Sequence, residues 1–282
     1  MGDTLGAPYE GGFAERALWR AIGHTRDGLP RWTDDTQMTL DLAESLLSVG
    51  ALDQGDIARR FAQGYRWSRG YGRSTAKMLR RVRRGEAWSI AAKAVHKEGS
   101  FGNGAAMRTP VLSLFITEGL PELIKETRRA AETTHGHPLG VEGAVLISVA
   151  SHKLLRRSST TEVLSSCAAC CQSDEFRERL ELVGEWLAEN AHPEPKTVAA
   201  RLGNGMSAHE SCVSALYIAL RHLEASFAAL IGFVIACKGD VDTIGAMAGA
   251  LWGACNGASA LPRMRLEQQT EIERTATRLF HA

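Results

Sequence analysis

The sequence has almost no net charge: 33 Lys and Arg stand against 32 Asp and Glu, leaving +1 over 282 residues. That balance marks neither a nucleic-acid binder nor an acidic protein. No basic-then-apolar segment opens the chain, so a cytoplasmic location is expected. Prolines number only 8, and the densest breaker stretch, His192-Pro193-Glu194-Pro195-Lys196, is short and flanked by helical patterns. It reads as a surface loop rather than a linker, so one domain over residues 1–282 is expected. Strictly alternating runs of Val, Ile and Thr are scarce, which leaves a sheet little support. No internal period appears, which argues against a solenoid. Among the six cysteines, Cys167, Cys170 and Cys171 cluster without a second Cys or His pair at metal spacing. They are expected to be buried, idle thiols.

Charge is also missing from the whole run Thr243 to Leu261. A membrane span is the obvious alternative, but Gly245, Gly249, Gly253 and Gly257 recur every four residues and the rest is richer in alanine than in leucine. Such spacing draws a stripe without side chains along one helix face, where another backbone can approach. A tightly packed central helix is the expectation.

With 44% hydrophobic residues the chain can bury a large core, and helical periodicity dominates it. Met38, Leu42 and Leu46 repeat at i, i+4 and i+8 with Leu47 beside them, while Asp41, Glu44 and Ser45 fall off that stripe. Similar patterns occupy 55–65, 76–82, 141–155, 177–188, 213–235 and 243–255. The fold class expected is all-α, a single globule of short to medium helices with its chemistry on loops.

Two short acidic clusters precede strongly periodic segments: Thr33-Asp34-Asp35-Thr36, and Gly239-Asp240-Val241-Asp242-Thr243. That places them at helix N-termini, where unpaired N–H groups and the positive dipole end favour ionised carboxylates. Asp and Thr are ordinary N-caps. Capping, however, needs one oxygen, and doubled carboxylates repel one another unless a cation offsets them. Carboxylates, threonine hydroxyls and main-chain carbonyls are hard ligands, suited to magnesium, manganese or calcium. The segment Ser100 to Arg108 has a physical reading too: Gly102 and Gly104 allow main-chain N–H groups near an anion, Asn103 offers a directional amide, and Phe101 offers a stacking face.

These residues resemble the ADP-ribosylglycohydrolase family, also called ADP-ribosyl-acceptor hydrolases, which includes the dinitrogenase reductase-activating glycohydrolases. The likeness lies in five ordered blocks: Gly2 to Glu10, Trp32 to Thr36, Ser100 to Arg108, Thr134-His135, and Gly239 to Thr243 with the glycine stripe. The resemblance implies a bundle of orthogonally packed helices and two Mg²⁺ ions, with Mn²⁺ as the substitute, engaging the distal ribose of ADP-ribose. Metal ligands would be Thr33, Asp34, Asp35, Asp240, Asp242 and Thr243. Catalytic groups would be Glu10, Asp34, Asp35 and Asp242, the acid or base role of Glu10 differing among subfamilies. Ser100, Phe101, Gly102, Asn103, Gly104, Met107 and His135 would bind substrate. The implied activity is magnesium-dependent cleavage of ADP-ribose from a mono-ADP-ribosylated protein side chain, arginine first, by a monomer. Alternatives are the same chemistry on nucleic acid or a small conjugate, and a non-catalytic ADP-ribose binder.

Two departures stand out. Family members usually carry a further helical turn or two before the Gly-Asp pair, whereas this sequence opens Met1-Gly2-Asp3; either the start lies elsewhere or the first helix is short. Lys238 takes a position usually held by glycine, and Val241 one often held by threonine. A Lys238 ammonium beside a dication would weaken one metal position, unless it points outward. Finally, segment 59–97 concentrates Arg66, Arg69, Arg73, Lys77, Arg80, Arg81, Arg83, Arg84 and Lys93 with Trp67, Tyr71 and Trp88. It is either a solvated face or a docking surface for nucleic acid.

Overall fold

The computed structural model describes residues 1–282 and arranges them as sixteen α-helices joined by turns and short 3₁₀ segments. The first six are α1 (Gly2–Gly6), α2 (Phe13–Ile22), α3 (Asp34–Val49), α4 (Gln54–Gly64), α5 (Arg73–Arg83) and α6 (Trp88–Val95). Then come α7 (Leu112–Phe115), α8 (Leu120–Glu132), α9 (Pro138–Leu155), α10 (Thr160–Cys170) and α11 (Asp174–Ala188). The last five are α12 (Pro195–Leu202), α13 (Ala208–Arg221), α14 (Phe227–Cys237), α15 (Val241–Asn256) and α16 (Gln269–Phe280). Extended pairing is confined to two isolated bridges, His24 with Pro30 and Gly102 with Ser207. The all-α expectation holds, and no helix is long and apolar enough to cross a membrane.

Helix starts follow their capping chemistry. Thr33 opens α3, its hydroxyl accepting from the Asp35 N–H, and Asp53 opens α4 in the same way through Asp56. Ser159 and Glu162 close a capping box on α10, and Pro195 sits in the first turn of α12, where its missing N–H is harmless.

A helix that is apolar on every side must be surrounded. That place belongs to α9, of which fourteen residues are buried; α8, α10, α13 and α15 pack round it. The glycine-bearing α15 lies beside this centre rather than at it, and its stripe is used in part. Gly245 and Gly249 meet α1, whereas Gly253 and Gly257 face open space.

Two details differ from the periodicity. The pattern over 213–235 is not one helix: α13 stops at Arg221 and α14 begins at Phe227 under a Ser226 cap. The Trp252 indole N–H bridges the break, donating to the carbonyls of His222 (3.0 Å) and Ala225 (3.1 Å). Ser45, off the apolar stripe of α3, is nonetheless fully buried because its hydroxyl donates to the Asp56 carboxylate at 2.6 Å. The cysteine cluster lies on α10 and its end: Cys167 and Cys171 are buried and Cys170 half-buried, and burial pushes all three thiols up, away from the reactive thiolate.

Candidate active site

The two ends of the chain meet because α1 lies directly on the first turns of α15. A Cβ on Gly2 would strike the Gly245 carbonyl, and one on Gly6 would meet the Val241 carbonyl and the Asp242 Cα, so only glycine permits this approach. From α1 the carboxylate of Asp3 reaches across to α3. It accepts from the Thr33 N–H (3.0 Å), the Thr36 N–H (3.3 Å) and the Thr36 hydroxyl (2.5 Å). Asp3 thus caps α3 from another helix and ties the starts of α1 and α3 together. No role for it follows from the sequence blocks.

Around this junction the acids form two triads. One oxygen from each of Asp3, Asp35 and Asp242 lies within 4.8 Å of the others, and so do oxygens of Glu10, Asp240 and Asp242. Asp242 belongs to both. The threonines support the same cluster: Thr243 Oγ1 donates to Asp35 (3.3 Å), and Thr33 Oγ1 faces the other Asp35 oxygen (3.4 Å). Asp240 accepts from the Asn103 amide at 2.6 Å. Asp34 opens on the same cleft but lies outside both triads, towards the turn at Gly70.

Crowding shows in the acid strengths. Burial first, then neighbouring carboxylates, raise Asp34, Asp35 and Asp242 well above the usual carboxylate range. Burial also raises Glu10 and Asp240, with hydrogen bonds from Asp242 and from Asn103 pulling the other way. None of these acids forms an ion pair with a Lys or Arg. Compensation must therefore come from protons or from bound cations, and an all-oxygen donor set fits a hard divalent ion.

The cleft beside the acids has a volume of ≈1080 Å³. Ser100, Phe101, Gly102, Asn103, Gly104, Met107 and His135 all line it, although some do so for reasons other than those read from sequence. Asn103 is buried, and its amide is spent on Asp240 and Ser211. Gly104 is required by the His135 ring, which a Cβ there would strike. Phe101 keeps a free face, 51% exposed. Periodicity and motif gave no hint of a further wall, Asn204 to Ser207. It is stitched to the loop by Asn103 N–H to Met206 O (2.9 Å) and Ala208 N–H to Phe101 O (3.0 Å), and to the acidic turn by Asp240 N–H to Asn204 O (2.9 Å).

A family model for ADP-ribosylglycohydrolase matches residues 1–282. The chain belongs to that family. ADP-ribosylhydrolase ARH3 of Mus musculus is 31% identical over 308 residues, spanning 93% of this chain and 82% of its own. The Homo sapiens ARH3 is 32% identical over 264 residues, spanning 82% and 72%. A solved structure, an ADP-ribosylglycohydrolase-related protein complex, superposes with a TM-score of 0.75 at 29% identity, covering 99% of this chain and 93% of that one. This ADP-ribosylglycohydrolase is therefore an enzyme for the hydrolysis of ADP-ribose conjugates.

In the glycohydrolase, Lys238 points away from the acids: it is exposed, makes no ion pair and does not line the cleft. Its backbone explains why glycine suits the position, since φ 59° and ψ −164° is a region essentially reserved for glycine. The basic segment is also partly neutralised. Arg59 and Arg60 pair with Asp56, Arg69 with Glu267 and Arg81 with Glu86; Arg73 alone of its arginines lines the cleft.

Proposed function

We propose that the glycohydrolase removes ADP-ribose from a modified protein side chain in a magnesium-dependent hydrolysis, with arginine the first acceptor to test, working as one domain over residues 1–282. The observation that supports this most is the sharing of Asp242 by two oxygen triads at one wall of a cleft whose other wall is the Ser100 to Gly104 loop with His135. Thr33, Asp34, Asp35, Asp240, Asp242 and Thr243 would hold the ions. Bound there, two Mg²⁺ would supply Lewis-acid chemistry at the ribose hydroxyls and the attacking water.

The chain's own part follows from charge and proton placement. Breaking the bond at the anomeric carbon builds positive, oxocarbenium character on the ribose, which carboxylates beside it favour. Glu10 is the one half-buried member of the triads, and burial makes it a weaker acid than an ordinary glutamate. It can therefore keep a proton for the departing acceptor or take one from water. Phe101 offers its open face to a base, while the N–H groups of Gly102 and Asn103 are spent within the protein on Ser100 Oγ and Met206 O.

Arginine-linked, serine-linked and nucleic-acid-linked ADP-ribose, incubated in parallel with the protein and magnesium chloride, test the reading. Release from a protein-linked conjugate, lost on chelation, is expected. Binding of free ADP-ribose with no release from any conjugate would sink the enzyme and leave a binder.

A further inference from the structure

Behind His135 lies a fully buried arginine without a carboxylate partner. Arg108 donates to the Gly104 carbonyl, to Ala130 O (3.3 Å) and to Thr134 Oγ1 (2.8 Å), with its guanidinium 4.9 Å over the Phe61 ring. Burying a guanidinium without an anion is costly, and the reason lies in what it does to the next two side chains. Thr134 Oγ1 is 2.7 Å from His135 Nδ1.

We propose that Arg108 is a positioning residue which, through Thr134, holds His135 with its hydrogen on Nε2, so that the ring offers the cleft a hydrogen-bond donor. Donor counting decides the direction. Arginine has five N–H donors and no acceptor, so the Thr134 oxygen must accept from Arg108. The single hydroxyl hydrogen of Thr134 then has one acceptor within reach, Nδ1 of His135, which must be bare. The ring hydrogen is left on Nε2, which has no partner in the protein and stands beside Gly102 and Gly104 on the cleft wall. The opposite tautomer would strand the Thr134 hydrogen and aim a lone pair at the ligand. Arg108 fixes both sides of this contact, since it also holds the carbonyl of Gly104, the residue that packs on the ring. Burial, with the Arg108 charge next, pushes His135 down to about 3, so the ring stays neutral.

The acceptor facing Nε2 is an oxygen of the phosphate or ribose of ADP-ribose. That part rests on the proposed function; the tautomer does not. The test is therefore nuclear magnetic resonance of the full chain with ¹⁵N-labelled histidine, recorded ligand-free and then titrated with ADP-ribose in magnesium chloride. At neutral pH the His135 hydrogen is expected on Nε2, and that resonance should shift on titration. Thr134→Val and Arg108→Met should each mix the tautomers and weaken ADP-ribose binding about tenfold, while Thr134→Ser should preserve both. His135 protonated on Nδ1, or charged, in the wild-type spectrum would overturn the relay, as would an unchanged Nε2–H tautomer in Arg108→Met. Should Arg108→Met not fold, the wild type and Thr134→Val decide alone. Wild type that binds no ADP-ribose would remove the reading of the cleft, while its ligand-free spectrum still decides whether the relay from Arg108 exists.

Discussion

At the start of α3 the acidic turn is held by side chains from distant parts of the chain, whereas at the start of α15 it is held chiefly by backbone against backbone, with one side-chain bond from Asn103 to Asp240. In front, Asp3 gathers Thr33 and Thr36, and Arg69 lies 3.5 Å over the Trp32 ring while donating to Trp32 O (2.7 Å) and Glu267 Oε2 (2.6 Å). Glu267 completes the latch, its N–H donating to Pro30 O and its carbonyl accepting the Trp32 indole. Behind, Gly2 and Gly6 lie on Gly245, Val241 and Asp242 with no room for a methyl group. Polar latches can loosen by degrees. Close-packed backbones cannot, because interiors have no slack to absorb an added atom. Failure should therefore be graded in front and abrupt behind.

Activity gives the widest separation. Asp242 serves both triads and Asp34 neither, so Asp242→Ala should cost on the order of 10³-fold or more in hydrolysis, the scale of losing a metal-assisted step. Asp34→Ala should cost nearer ~10-fold to 100-fold. Steady-state rates at saturating magnesium, with circular dichroism showing intact helices, compare the two; equal losses would erase the asymmetry. Stability is the second contrast. Gly6→Val drives a side chain into the α15 backbone and should cost about 3 kcal/mol or more, against about 1 kcal/mol for Asp3→Asn, which keeps the shape and weakens hydrogen bonds. Urea midpoints read both.

Why some of this was visible in the residues, and some not, follows from the same contrast. The stripe Met38, Leu42, Leu46 and both acidic helix starts were legible, because periodicity and capping are local. The loop at Ser100 to Gly104 was legible as a cleft wall, yet Asn103 faces Asp240 rather than the opening, since the direction of an amide depends on what lies beyond it. Asp3, Glu267 and the wall at Asn204 to Ser207 carry no local signal; each acts only through a partner far along the chain. Helix α8 hid for another reason. Its buried face runs through Leu123, Ala130 and Ala131 but is interrupted by Glu126 and Thr127, with Thr127 donating to Ser148 at 3.0 Å, so polar residues break the apolar stripe midway.

Cations should act on the junction where both ends meet. Asp35 and Asp242 hold folded-state values raised above the ordinary 3.8, so the folded chain binds more protons than the unfolded one. Stability without metal should then fall as pH rises above about 4 through those raised values. Magnesium at a hundredfold its Kd should return about 2.7 kcal/mol and flatten the slope. Thermal unfolding at pH 5, 7 and 8, in chelator and in magnesium, checks the sign; a flat Tm in chelator would remove the crowding argument. On the front latch alone, Glu267→Gln strips the buried Arg69 of its counter-charge and should cost about 2 kcal/mol, with a partial loss of hydrolysis rather than an abrupt one.

The smallest effect isolates backbone from charge at the rear turn. Lys238 holds φ 59° with ψ −164° immediately before Gly239 and Asp240, a conformation that costs a non-glycine residue about 1 kcal/mol or more. Its ammonium is exposed and unpaired, so Lys238→Gly removes strain without removing a contact. The variant should gain about 1 kcal/mol in urea unfolding, less whatever entropy the added glycine returns to the unfolded chain, and its magnesium dependence should match the wild type. Tighter magnesium binding with no gain in stability would mean that the lysine acts on the acids through its charge after all, and that the rear turn, like the front one, is tuned by side chains.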